Sequence, residues 1–305
     1  MKPLAVVSSA DIPQEERLDI LTRLNAEDLT TAFKLQRFER AKPIIDWIAR
    51  IPSRRFSRQI QELDELVNTQ GLAAGGKYML SLFSRSVCIE GQEHVPEDGP
   101  VLVLSNHPGT VDIMALWVAL EKRRDLHIIA AERELLRAIP NISRRLLYVA
   151  PQTGGRAGLL RGAVGHLHNG GALLNFPAGK IEPDATVRPG ALASLKSWST
   201  SIALFVRMVP QCRILPVAVG GVISNTALRN PLLNIFSEQK DKEWAAATLQ
   251  VLLPYYRDTH THVAIGSSLH ASDLIELGTP EAITAAVTER MVPLLTRIAG
   301  DTGFV

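Results

Sequence analysis

The rhythm of hydrophobic and polar positions changes near residue 80. Before it, apolar residues recur at three- and four-residue steps, the spacing of a helix that buries one face. Gln14–Leu35 mixes acidic and apolar positions in that rhythm, behind Pro13, where a first helical residue fits. Lys34–Arg58 continues it with Phe38, Ala41, Ile45 and Ile48 on one face, and Pro43 kinks that helix or starts a new one. Ser57–Thr69 extends the polar helical pattern, and Gly71, Gly75 and Gly76 break it. Beyond residue 80, short apolar runs rich in Val, Ile and Leu predict strands at Val87–Glu90, Val101–Leu104, His127–Ala130, Ala172–Phe176, Arg213–Val219 and Val263–Ile265. Helical stretches fall between or after them, at Asp112–Lys122, Ala157–His168, Ala191–Val209 and Pro280–Ala299. This alternation predicts an α/β fold, a mixed, mostly parallel sheet flanked by helices. The expected organisation is an N-terminal helical segment over 1–78 and an α/β domain over 79–305, with no fixed-period repeat and no low-complexity tract.

Composition narrows the class only a little. The 305 residues are 46% hydrophobic and 21% charged, which suits an ordered globular chain and excludes disordered, collagenous and coiled-coil readings. A formal net charge of +2 offers no global attraction for nucleic acid, so none is expected as a partner. The near-neutral total does hide one local cluster: Lys34–Arg58 carries eight basic residues against two acidic ones, Glu39 and Asp46. A cationic stretch beside Phe38, Ile45, Trp47 and Ile48 has the make-up of an interfacial helix, and equally of a helix packed on the sheet domain with its basic face in water. Two cysteines, Cys88 and Cys212, are too few for a disulfide framework, and they fit a reducing compartment. The N-terminal stretch turns acidic soon after a short apolar run, which argues against a cleaved leader peptide. The longest apolar run, Ile214–Ile223, is about half of the ~20 residues that span a bilayer. The expectation is a cytoplasmic protein, at most peripheral to the cytoplasmic face of a membrane.

Candidate chemistry concentrates in Pro100–Asp112. A buried strand runs into Asn106-His107-Pro108-Gly109, and a helix opens near Thr110 or Val111. Sheet enzymes bind ligands at the carboxyl ends of strands, which is where His107 stands. Asp112, in the first helical turn, would reach one imidazole nitrogen as the turn folds back. A carboxylate there fixes the tautomer and stabilises the imidazolium, leaving the other nitrogen as a general base. The plainer reading makes His107 a turn residue and Asp112 a charge matched to the helix dipole. No Gly-x-Ser-x-Gly elbow is present and neither cysteine has a His nearby in sequence, so direct attack by a bound acceptor is the chemistry left open.

At these residues the sequence resembles the glycerolipid acyltransferases, the lysophosphatidate acyltransferase-like group. Asn106-His107-Pro108-Gly109-Thr110-Val111-Asp112 is similar to that family's N-H-x4-D block. Gly154-Gly155-Arg156 resembles the arginine-bearing second block, Phe176-Pro177-Ala178-Gly179-Lys180 the third, usually F-P-E-G-T-R, and Ile214–Val219 with its internal Pro216 the fourth. The resemblance covers about residues 86–298. It implies an acyltransferase that moves a fatty acyl group from acyl-CoA or acyl carrier protein, as co-substrate and not cofactor, to a hydroxyl of a lipid or lysolipid acceptor at a membrane surface. His107 would be its general base and Asp112 the partner of that base. Asn106, Gly109, Arg156, Phe176, Pro177, Gly179 and Lys180 would form the substrate site, and no metal is implied. Ala178 stands where glutamate is usual, and Lys180-Ile181 replaces Thr-Arg, a point charge in place of a guanidinium fork. Lysophosphatidate itself and an amino-acid-derived lipid therefore both stay open as acceptor, and the rival functions are a non-catalytic lipid-binding protein on the same fold and a thioester hydrolase.

Other signals count for less. Gly71–Lys77 superficially fits a phosphate-binding loop but lacks the following Ser or Thr and a preceding buried strand. The pairs His166/His168 and His260/His262 have no third ligand at zinc-like spacing and read as surface histidines. Arg123-Arg124 and Arg144-Arg145 read as solvated helix ends.

Overall fold

A computed structural model describes residues 12–109, 111–149 and 155–300, and of Gly155 and Arg156 only the backbone. The stretch expected to lack a leader peptide, together with Thr110 and Gly154, lies outside the described residues. Among the described residues eight strands form a single sheet: β1 (Ser86–Glu90), β2 (Val101–Ser105), β3 (His127–Ala131), β4 (Leu146–Val149), β5 (Ala172–Asn175), β6 (Arg213–Gly220), β7 (His260–Ile265) and β8 (Leu269–His270). Their order is β1-β7-β6-β2-β5-β3-β4, with β8 also paired to β6. The block β6-β2-β5-β3-β4 is parallel throughout, while β7 and β8 run antiparallel to β6, and β1 runs parallel to β7. The longer helices are α1 (Gln14–Ala32), α2 (Lys42–Gln70), α3 (Leu72–Phe83), α4 (Asp112–Ala119), α5 (Gly155–His168), α6 (Ile202–Met208), α7 (Gln239–Leu252) and α8 (Pro280–Ala299). The mixed, mostly parallel sheet flanked by helices is the expected fold class.

Period-2 alternation in the central strands divides the core into two layers. Val101 and Val103 of β2 face one cluster with Leu174, Leu215, Val217 and Val219, and Leu102 and Leu104 face the other with Leu173, Ile214 and Ala218. The first cluster runs on without a break into Leu21, Ile60, Leu63 and Val67 of the N-terminal helices, and into α4 through Ala115 and Leu116. The second is covered by α5, α6 and α8. Helix α3 crosses residue 78, where the N-terminal segment was expected to end.

Several local expectations are corrected. Gly75 and Gly76 do not break the helix; both lie inside α3, where the missing side chains allow close packing. A Cβ at Gly76 would stand 2.6 Å from the Met114 carbonyl oxygen of α4, and one at Gly75 would meet Leu63 and Val67 of α2. Gly71 alone is the breaker, at φ +92°. Phe38 lies between two short 3-10 turns and Ala41 ends the second, and Pro43 sits in the first turn of α2, which resets the helical register. The exposed apolar stripe is accordingly Ile44, Trp47, Ile48 and Ile51, spaced i, i+3, i+4, i+7. The helix expected over Ala191–Val209 is interrupted at Trp198, whose backbone is extended. Arg123 is not a solvated helix end: it is buried, its guanidinium held by Asp125 and the carbonyls of Pro96 and Gly170. His166 and His262 are half-buried and not surface residues.

Pro216 sits in a central strand, where the lack of an N–H is usually disallowed. Its carbonyl accepts from Gly266 on the β7 side. The missing donor thus falls where the neighbour of β6 changes from β8, at Arg213 and Ile214, to β7, from Val217 onward.

Candidate active site

The turn after β2 is built from side chains that bond to backbone. Asn106 is buried and spends its amide on the next strand: Nδ2 donates to the Val219 carbonyl and Oδ1 accepts from the Val219 N–H, both at 2.8 Å. It was expected in the substrate site. The structure makes it the tie that fixes the end of β2 against β6, with both amide atoms bonded to the Val219 backbone.

His107 follows and is held from three sides. Its Nδ1 lies 2.7 Å from Asp112 Oδ2, and the same oxygen accepts the Gly109 N–H at 3.0 Å. Asp112 is fully buried at the start of α4, while 28% of the His107 side chain is exposed. The imidazole stacks on the Phe176 ring, centroids 4.5 Å apart and planes 26° apart. With a carboxylate on Nδ1, that nitrogen carries the proton. Nε2 has no hydrogen-bond partner among the described residues and can accept one from a ligand.

Glu182 was missed by the sequence reading. Its N–H donates to the His107 carbonyl and its Oε2 accepts the His107 N–H, at 2.8 and 3.0 Å, so it clamps the backbone of the histidine from both directions. Its Oε1 accepts from Ser194 Oγ and from Trp198 Nε1, which explains why the chain is extended at Trp198. The available signal was an acidic residue just beyond the third block, in Glu182-Pro183-Asp184. Asp184, also buried, accepts from the N–H groups of Gly221 and Val222 and from Thr186, and so joins the same loop to the end of β6. Gly221 there is at φ +68°, and a Cβ would stand 2.0 Å from the His260 carbonyl oxygen.

These surroundings set the proton affinities. Burial by itself disfavours the His107 imidazolium, but the charge and hydrogen bond of Asp112, and the charge of Glu182, outweigh it and hold the group above the ordinary histidine value. The Arg133 guanidinium acts in the opposite direction. Burial also pushes the Glu182 carboxyl up, against the donors from Trp198, Ser194 and the His107 backbone.

The remaining expected residues divide. Phe176 supplies the stacking ring, and the buried Pro177 holds the turn through its carbonyl, which accepts the Ser199 N–H. Gly179, at φ +62°, closes the turn by donating its N–H to Phe176 O. The Gly109 and Gly179 N–H groups are thus both engaged within their turns. Lys180 is exposed with no ion pair among the described residues. Arg156 lies in the first turn of α5, and its side chain is not described. Arg133 is a further cation that sequence reasoning did not select: it is exposed, it follows the carboxyl end of β3, and it is near enough to act on His107.

A family model described as acyltransferase matches residues 86–220, a span that contains His107, Asp112, Phe176–Lys180 and Glu182. No curated protein matches the chain. Among solved structures, the 1-acyl-sn-glycerophosphate (LPA) acyltransferase PlsC from Thermotoga maritima is similar at 18% sequence identity, with 89% of this chain and 97% of that chain covered and a TM-score of 0.45. Through its residues 86–220, the chain is similar to the acyltransferase family, a match that supports an enzyme transferring acyl groups.

Proposed function

We propose that the protein moves a fatty acyl group from a thioester, acyl-CoA or acyl carrier protein, to a hydroxyl of a glycerolipid-type acceptor, with His107 as general base. The observation that carries this reading is the pairing of Nδ1 with a fully buried Asp112 carboxylate while the other edge of the ring stays open. The acceptor hydroxyl attacks the thioester carbonyl carbon and passes its proton to Nε2. The tetrahedral intermediate collapses with cleavage of the C–S bond, and the leaving sulfur takes the proton back from the imidazolium. Asp112 keeps the ring oriented and balances its transient charge. The proposed acceptor site lies around Phe176–Lys180 and Arg156, and the exposed cations Lys180 and Arg133 suit an anionic acceptor head group. Glycerophosphate-type and amino-acid-derived acceptors both fit that requirement.

Thiol release from acyl-CoA, followed across a panel of hydroxyl acceptors, tests the reading. The expected result is release that depends on the acceptor and yields an acylated product in equal amount. Release at the same rate without any acceptor would identify a thioester hydrolase instead.

The same proposal places the enzyme at a membrane surface. Among the described residues no helix is long and apolar enough to cross a membrane. The stripe Ile44, Trp47, Ile48 and Ile51 is nonetheless 56–66% exposed, beside the exposed basic residues Arg50, Arg55 and Arg58. Leu232 and Ile235 present further exposed apolar side chains on the turn Pro231–Ile235. An apolar stripe flanked by cations suits an anionic bilayer. Co-sedimentation with vesicles containing anionic lipid is expected to fall at least about tenfold on charge reversal at Arg50, Arg55 and Arg58 together. Unchanged binding would remove this part of the proposal.

A further inference from the structure

Three side chains that take no part in the chemistry above meet at the edge of the sheet. Cys88 and Glu90 are two residues apart on β1, so they point to the same face. His262 of β7 is the direct cross-strand partner of Cys88. Their donor atoms, thiol, carboxylate oxygen and imidazole nitrogen, all lie within 4.8 Å of one another. His262 Nε2 stands 3.2 Å from Glu90 Oε1 yet makes no properly directed hydrogen bond, although the atom is shielded from solvent. Across β6, His262 is paired with Gly220, which itself has no side chain. The second oxygen of Glu90 is held by Arg297 at 3.3 Å, which leaves Oε1 turned to the histidine.

We propose that Cys88, Glu90 and His262 bind a divalent cation of the zinc type. A sulfur, a nitrogen and an oxygen donor together select a borderline-soft metal, and hard cations such as magnesium or calcium take oxygen donors instead. The spacing fits as well. Zinc–nitrogen and zinc–oxygen bonds of about 2.0–2.2 Å place two tetrahedral ligands about 3.3–3.5 Å apart, close to the observed separation of Nε2 and Oε1. Binding displaces the thiol proton of Cys88 to solvent and uses the Nε2 lone pair of the neutral imidazole. Water completes the coordination, since Cys88 is exposed. The consequence is mechanical: the cation joins β1, the outermost strand, to β7. The ligands come from positions 88, 90 and 262, so no spacing in the sequence announces them.

Cobalt(II), a spectroscopic stand-in for zinc, tests the site in the full-length, untagged protein after treatment with a chelator. The expected result is one equivalent of cobalt bound with a thiolate-to-metal charge-transfer absorption, and displacement of that cobalt by zinc. Cys88→Ser is expected to abolish the absorption. His262→Ala and Glu90→Gln are each expected to weaken zinc binding at least tenfold in competition with a chromogenic chelator. Zinc is also expected to raise the unfolding temperature of the unmodified protein and not that of Cys88→Ser, an exposed replacement that leaves the fold intact. Cys212 cannot substitute for Cys88, because it is buried and its thiol is pushed up to about 12. Absence of the charge-transfer absorption, or its persistence in Cys88→Ser, overturns the assignment.

Discussion

His107→Ala is expected to lower acyl transfer by a factor on the order of 10²–10⁴, the usual contribution of a positioned general base. The loss should appear in kcat, with little change in the KM for the thioester. The argument is geometric. Asp112 is fully buried and its Oδ2 serves both the imidazole and the Gly109 N–H, so the ring is pinned in one orientation. Phe176 stacks against it and Glu182 grips its backbone. A ring held so tightly places Nε2 in one position, and the replacement removes the group proposed to accept the acceptor's proton. His107→Gln is a useful companion, because it keeps polarity and approximate size without the basicity. If thiol release in either variant continued at an undiminished rate in the presence of acceptor, the mechanism would be wrong.

Asp112→Asn is expected to produce a loss of comparable order together with a shift in pH dependence. In the proposed mechanism the neutral imidazole is the active form, so activity is expected to rise as pH passes upward through the His107 pKa. Asp112 helps to raise that value above the ordinary one, against the effect of burial. Removing the charge therefore lowers the imidazole pKa, and the acid limb of the rate profile moves to lower pH while its plateau falls. The amide also permits the wrong tautomer, because its NH₂ can donate to Nδ1 and so move the ring proton to Nε2. A plateau loss with an unmoved acid limb would mean that Asp112 supports the turn, through Gly109, and does not act on the charge of the ring. The pH profile is the measurement that separates the two roles.

Much of the proposed catalytic pair was legible because it is local. A buried strand, a proline–glycine turn and a helix start bring His107 and Asp112 together within six residues, and each step follows from short-range chemistry. The strands at Val101, His127 and Ala172 were legible for the same reason: both faces of a parallel sheet are covered, so each reads as a continuous apolar run. Helix α7 was not legible, because its buried face is built largely from Ala245, Ala246 and Leu249 and carries little contrast. Strand β4, at Leu146–Val149, is too short after two arginines to stand out. Gly75 and Gly76 were misread because glycine serves both as a helix breaker and as a point of close helix contact. Only the approach of α2 and α4 to α3 decides between the two.

The sequence by itself determined the alternation of strands and helices, the place of His107 at a strand end and the partner five residues on. Those features depend on backbone preference and burial period, which act over a few residues. The tertiary structure alone decided that Glu182 clamps His107 across 75 positions, that Asn106 serves the fold across 113, and that Arg123 is buried. It alone brought Cys88 and Glu90 to His262. Contacts of that kind depend on strand order, and strand order follows from how the two faces of the whole sheet are covered. No local pattern of residues encodes it.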